Sequence, residues 1–194
     1  MRGQRMFAFW ASFGIIAAAE LGDKSQLLAL AFASRFRAAT VLLGVFLATL
    51  LVHAFSVLIG DVIGIALPTD IVLIVAGLSF IGFGLWSIRG DAFEGDVSSR
   101  SRFGAVATVA FAFFIAELGD KTQFATISLA TQYQQPVPVW IGSTLGMVAA
   151  DTLAIGTGSL LGRRLPHRLI GYAAALVFFV FGGVSIAMGI GGLR

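Results

Sequence analysis

Two short runs hold nearly all the chemistry that this sequence offers. Ala19-Glu20-Leu21-Gly22-Asp23-Lys24-Ser25-Gln26 returns 97 positions later as Ala116-Glu117-Leu118-Gly119-Asp120-Lys121-Thr122-Gln123, with only Ser25 and Thr122 differing. Read as continuous helix, Glu20 and Asp23 lie on one face about a turn apart, and Lys24 reaches the same face from four positions beyond Glu20. The same holds for Glu117, Asp120 and Lys121. Gly22 weakens such a helix and opens the prospect of exposed backbone carbonyls. Carboxylate, hydroxyl and amide oxygens, in a chain without cysteine, suit hard cations such as Mg²⁺, Ca²⁺ and Mn²⁺ rather than copper or zinc. A plainer alternative is one Glu–Lys ion pair per run that merely joins helices. It leaves Asp23 and Asp120 unexplained.

Two further titratable residues fall in apolar surroundings. At an offset of 98 positions His53 corresponds to Asp151, so each half of the chain carries one such group mid-way along an apolar stretch. With Glu20, Asp23, Glu117, Asp120 and Asp151 set against Lys24 and Lys121, the balance is three negative charges in excess. Crowded carboxylates in a dry place take up protons or bind a cation, and both behaviours together describe a cation/proton exchanger. His53 is a candidate proton carrier, although a lone histidine in a helix is also ordinary packing. Asp61 and Asp70 flank a short connection and read as solvated.

The elements that must position these residues are apolar. Apolar residues make up 58% of the 194 positions and charged residues 12%, about half the share of a soluble domain, and the mean hydropathy is +0.94. The net charge of +3 does not point to nucleic acid, because the arginines lie singly or in pairs between apolar runs rather than along one face. About 20 apolar residues cross a bilayer as helix. Six stretches qualify: Met6–Ala33, Ala39–Ile59, Ile71–Ile88, Phe103–Ala130, Val139–Leu161 and Leu169–Ile190. Ala17-Ala18-Ala19 resembles a signal-peptide cleavage site, but Ala116-Glu117-Leu118 repeats the junction deep in the chain, so the first stretch reads as a retained span.

The repeat extends beyond the motif. At the 98-residue offset Gly44 matches Gly142, Gly60 Gly158, Gly64 Gly162, Leu67-Pro68 Leu165-Pro166, Phe80 Phe178 and Phe83-Gly84 Phe181-Gly182. The fold class expected is therefore all-α integral membrane, six transmembrane helices as two inverted three-helix repeats: residues 1–90, a cytoplasmic linker 91–102, and residues 103–194. Three spans per half is an odd number, which forces the halves to enter from opposite faces. Eight arginines lie in the first, third and fifth loops against three elsewhere (Arg2, Arg5 and Arg194), which places those loops in the cytoplasm and both termini outside. Charges part-way along a span cost about 2.5 kcal/mol or more each, so the motif residues must face one another, water or an ion. Inverted repeats of this kind place substrate at their interface near the midplane.

The doubled Glu-Leu-Gly-Asp-Lys-Ser/Thr motif in a chain of this size resembles the Gdt1 family of membrane cation transporters, which includes a human Golgi member and bacterial manganese exporters. The resemblance covers nearly the whole chain, without departure in either motif. It implies transport of Mn²⁺ or Ca²⁺ in exchange for protons, with Glu20, Asp23, Glu117 and Asp120 at the ion site, Lys24 and Lys121 at the basic position, and Ser25 and Thr122 at the hydroxyl position. The chain lacks the long N-terminal extension and central loop of eukaryotic members. That favours a bacterial plasma (inner) membrane protein and manganese export. Metal ligands are thus expected among Glu20, Asp23, Glu117, Asp120, Gln26, Gln123 and Asp151, and gating or proton coupling from Lys24, Lys121, His53, Ser25 and Thr122. No cofactor is expected beyond the transported ion. Expected partners are the cation, protons and lipid, no nucleic acid, and a second copy of the chain as a candidate homodimer. The nearest rival is a small-solute or amino-acid exporter of similar build. An intramembrane enzyme is disfavoured because no Ser–His or Cys–His pairing appears.

Overall fold

The apolar stretches become helices because a chain in hydrocarbon must satisfy its own backbone polar groups. The computed structural model describes residues 2–89, 104–161 and 167–192. These form eight helices: α1 (Arg2–Glu20), α2 (Lys24–Ala33), α3 (Ala38–Ala66), α4 (Thr69–Arg89), α5 (Ala105–Glu117), α6 (Lys121–Tyr133), α7 (Pro136–Leu161) and α8 (His167–Gly192). No strand occurs among the described residues. The expected linker at 91–102, and Arg163 and Arg164, lie outside them.

Two expected spans differ from what forms. Met6–Ala33 is not one helix but α1 and α2, bent by 74°, and the stretch that ends at Ala130 is likewise α5 and α6. The cause is the same in both. Gly22 and Gly119 each adopt φ +79°, a left-handed conformation that costs a residue with a Cβ about 1–2 kcal/mol. Asp23 and Asp120 then sit in extended geometry as the N-caps of α2 and α6. The other boundaries follow ordinary turn chemistry. Leu67 is extended ahead of Pro68, and α7 opens on Pro136 after the left-handed Gln134.

Helices α3 (Ala38–Ala66), α4 (over Thr69–Trp86) and α7 (over Pro136–Gly156) are long and apolar enough to cross a bilayer, and α1 with α2 makes a fourth crossing if the bent pair is taken as one. Helix α5 and the apolar part of α8 are shorter.

The burial pattern is that of a protein dissolved in lipid. Ile65 is 74% exposed, Phe111 70% and Val62 67%, whereas Glu20, Asp151 and Ser25 are fully buried. Water as solvent would reverse that order; hydrocarbon produces it.

Packing runs between the halves. Helix α1 lies on α7 and α5 on α3; α6 packs on α3 and α2 on α7; α4 lies against α8. Equivalent residues meet where the halves cross. Phe80 stacks on Phe178 at 6.1 Å between centroids, flanked by Phe80–Phe181 at 5.1 Å and Phe83–Phe178 at 5.9 Å. Small residues permit the approach: a methyl at Gly60 would lie 2.6 Å from the Ala130 Cβ, and one at Gly77 2.7 Å from the Gly182 carbonyl.

The helix breaks generate a test. Around Gly119 nothing lies within 4 Å of an added Cβ, so Gly119→Ala should cost only the left-handed penalty, about 1–2 kcal/mol. Gly119→Asn should cost less. Thermal unfolding of the detergent-solubilised protein measures both, and an alanine variant as stable as the unchanged chain would contradict the strained break.

Candidate functional site

Each break delivers two carboxylates, one from the last residue of a helix and one from the N-cap of the next. Glu20 ends α1 and Asp23 caps α2; Glu117 ends α5 and Asp120 caps α6. The continuous-helix reading put each pair on one face by i,i+3 spacing. The turn between them replaces that geometry, bending the chain by 74° at the first break, and keeps the two acids of that motif within electrostatic reach.

The two breaks are held in the same way. The Gly22 N–H donates to Gln26 Oε1 at 2.8 Å, and the Gly119 N–H to Gln123 Oε1 at 2.7 Å. The Thr122 hydroxyl donates to Glu117 Oε2 at 2.9 Å, and the Ser25 hydroxyl donates to Glu20 Oε1. Thus Gln26 and Gln123, expected as ligands, spend their amide oxygens on the backbone. Gln26 also reaches across the molecule, its Nε2 donating to the Ala150 carbonyl at 3.2 Å. That bond fixes the first motif to α7 beside Asp151.

The two motifs form one cluster. Lys121 Nζ lies 2.7 Å from Asp23 Oδ1, an ion pair between halves with both side chains almost wholly buried. The break at Gly119 interrupts the continuous i,i+4 helical register in which pairing with the glutamate four residues earlier was expected. Glu117, Asp23, Asp151 and Asp120 all lie within electrostatic reach of Glu20. Asp23 likewise acts on Asp151. Five acids, from α1, α2, α5, α6 and α7, therefore share one buried volume.

Several oxygens in it have no hydrogen-bond partner: Glu20 Oε2, Glu117 Oε1 and both oxygens of Asp151. Orphaned carboxylate oxygens in a dry interior fit a hard cation or a proton. Among the described residues no group of three or more His, Asp or Glu side chains is arranged to hold a metal ion, so the acids do not form a closed ligand shell. His53 is buried with Nδ1 unpartnered, and no described hydrogen bond ties it to the acids. The Lys24 side chain lies outside the described residues.

Sequence reasoning passed over Thr49, Met147 and Thr144. The Thr49 hydroxyl donates to the Val45 carbonyl and sits 3.2 Å from Met147 Sδ. These two positions are 98 apart, so the repeat offset was the signal that marks them. Thr144 is buried with its hydroxyl oxygen unpartnered.

A sequence profile described as divalent cation/proton antiporter GDT1 matches twice, over residues 8–95 and 105–191. The chain belongs to the GDT1 family. It is similar to a Vibrio cholerae protein named "Putative manganese exporter", 39% identical over 171 residues that cover 87% of this chain and 85% of that protein. It is 34% identical to Protein PAM71, chloroplastic, of Arabidopsis thaliana, over 92% of this chain but 56% of that longer protein. It is 29% identical to GDT1-like protein sll0615 of Synechocystis, over 92% and 96% of the two chains. No solved structure matches the chain. GDT1 is a family of membrane transporters rather than enzymes, and the buried acids described above are the doubled motif by which the sequence resembles it.

The Lys121–Asp23 pair supplies a second test. Removing one partner of a buried ion pair strands the other charge, at a cost of about 3–5 kcal/mol. Lys121→Met and Asp23→Asn should each destabilise by that order, and the double variant by less than either alone. A thermal-shift double-mutant cycle reads the coupling, and additive losses would show that the contact contributes nothing.

Proposed function

We propose that this chain is a secondary antiporter that expels Mn²⁺ from the cytoplasm in exchange for protons. The observation that carries the proposal is the gathering of Glu20, Asp23, Glu117 and Asp120, one motif from each half, with Asp151 into a single buried cluster crossed by the Lys121–Asp23 ion pair. A cation/proton exchanger needs groups that bind either a cation or protons from the same buried position, and clustered carboxylates do both. Membership of a cation/proton antiporter family supports the exchange, and the manganese exporter name of the Vibrio relative supports the ion.

In this reading the chain spans the plasma membrane six times. Each helix–break–helix unit counts as one span, the halves are inverted, and both termini lie outside. The self-contacts of Phe80 with Phe178 and Thr49 with Met147 are those expected along a two-fold axis in the membrane plane. The acids are placed near the midplane on that axis. Rocking of one half against the other exposes them to each side in turn. When the ion leaves, protons and the Lys121 ammonium neutralise the acids; when it binds, both are released. Ser25 and Thr122 orient Glu20 and Glu117 through their hydroxyl bonds. His53 is a proton carrier in the same reading, and Ca²⁺ is the competing substrate.

In bacteria that lack their own manganese exporter, expression should restore growth in excess Mn²⁺. Glu117→Gln and Asp23→Asn should abolish the protection. In inverted vesicles their Mn²⁺ uptake should fall by at least the about 10–100-fold that loss of supporting partners costs a metal site. Full protection by either variant would refute the mechanism, and uptake of Ca²⁺ in preference to Mn²⁺ would reassign the substrate.

Topology has its own test. Because the chain has no cysteine, single cysteines report cleanly. An impermeant maleimide should label Gln4→Cys in intact cells and leave Ser98→Cys unlabelled until the membrane is opened. The reverse pattern would invert the orientation and overturn the placing of both termini outside.

A further inference from the structure

The two halves of the sequence are not the packed units of the molecule. Helix α7 of the second half lies along α1 and α2 of the first, and α3 of the first lies along α5 and α6 of the second. Each half has lent its second long helix to the broken helix pair of the other. Helices α4 and α8 pair with each other and touch both groups, α4 through α6 and α8 through α1.

Contacts inside these groups differ in kind from the described contacts between them. Inside, helices approach closely at glycine. A methyl on Gly146 of α7 would lie 2.5 Å from the Phe13 carbonyl oxygen of α1, and one on Gly44 of α3 would lie 2.6 Å from the Val109 Cβ of α5. Gly60 of α3 is crowded in the same way by α6, and Gly142 of α7 by α1. Such an approach leaves no long side chain that could turn to re-make the contact after a shift. Gln26 adds a tie within one group, from α2 to the Ala150 carbonyl of α7. Between the groups, side chains do the meeting. Thr49 touches Met147 at 3.2 Å, the Trp140 indole donates to the Leu50 carbonyl at 2.9 Å, and Lys121 reaches Asp23. Contacts of that sort part and re-form when packed helices slide.

We infer that the bodies that move against each other are two crossed bundles, α1–α2–α7 and α3–α5–α6, each assembled from both halves of the sequence. The inference rests on the alternating access of the proposed antiporter and names the helices that travel together in it. Two short turns join the bundles, residues 34–37 between α2 and α3 and residues 134–135 between α6 and α7, and these are the hinges. Glu20, Asp23 and Asp151 belong to one bundle, and Glu117, Asp120 and His53 to the other. Asp151 therefore stays with the first motif throughout the cycle, although 128 positions separate it from Asp23. The seam that opens is the one along which the two sets of acids meet.

Crosslinking of the full chain in inverted vesicles tests this, since every thiol is an introduced one. Trp10 of α1 and Ile141 of α7 are exposed and flank the approach of Phe9 to Gly142, and exposed Leu51 of α3 and Phe111 of α5 line one groove. Trp10→Cys with Ile141→Cys, and Leu51→Cys with Phe111→Cys, are each closed by a short bis-maleimide that thiols cleave. Both linked proteins should take up Mn²⁺ as fast as they do after cleavage. A disulfide joining Thr49→Cys to Met147→Cys should stop uptake, and reduction should restore it. Each comparison uses one protein before and after cleavage, so a folding defect does not enter. Where that buried pair fails to assemble, Phe7→Cys with Tyr133→Cys replaces it under the same expectation, because the native rings meet at 5.7 Å across the same seam. Arrest by the Trp10–Ile141 or Leu51–Phe111 link, relieved on cleavage, would show that the sequence halves move as units and would overturn the inference. Undiminished uptake with the Thr49–Met147 link closed would overturn it too. Failure of the antiporter reading looks different: the unchanged chain would take up neither Mn²⁺ nor Ca²⁺, and the inference would fall with it.

Discussion

A charge withdrawn from water into a low-polarity interior is tolerated only where an opposite charge or a set of donors meets it. Most of this structure follows from that constraint acting on five acids. No single helix can neutralise them, so the molecule brings two motifs face to face and lets Lys121 of one half answer Asp23 of the other. The hydroxyls of Ser25 and Thr122 take one oxygen of each motif glutamate. Those donors leave Glu20 Oε2, Glu117 Oε1 and both oxygens of Asp151 uncovered. The outer surface obeys the complementary rule, since lipid asks nothing of Ile65, Phe111 or Val62.

The helix breaks reconcile this cluster with the need to satisfy backbone groups in hydrocarbon. Opening a helix releases N–H and C=O groups that must find partners. Gln26 and Gln123 supply them at the left-handed glycines, and the capping aspartates turn their side chains toward the interior. The polar residues of the motif therefore divide into those that hold the break and those whose carboxylates the break carries into the interior.

The all-helical character, the repeat, the apolar stretches and the identity of the acids were legible in the sequence, because composition and an eight-residue identity survive without coordinates. The break was legible only in part. Gly22 marked a weak point, but nothing in residue types fixed φ at +79°, so Glu20 and Asp23 were assigned to one helical face. The partner of Lys121 was hidden for a related reason. Spacing along one helix describes neighbours within a segment, whereas the Lys121–Asp23 contact joins residues 98 positions apart. Gln26 is legible only in part for the same reason: residue type offers its amide oxygen, and only the structure shows the Gly22 N–H donating to it. Thr49 and Met147 show the converse, a contact between equivalent positions that the repeat offset specifies once a two-fold relation is supposed.

The crossing of α1 onto α7 and of α5 onto α3 bears on how the cell makes this protein. As the ribosome feeds α1 into the membrane, the helix that will shelter Glu20 has not yet been synthesised. The acidic end of α1 must wait, protonated or shielded by the insertion machinery, until α7 emerges. Neither half completes its interior alone, so assembly is committed only near the end of translation. A chain truncated before α7 leaves the quality-control proteases of the membrane an unsheltered carboxyl group to recognise.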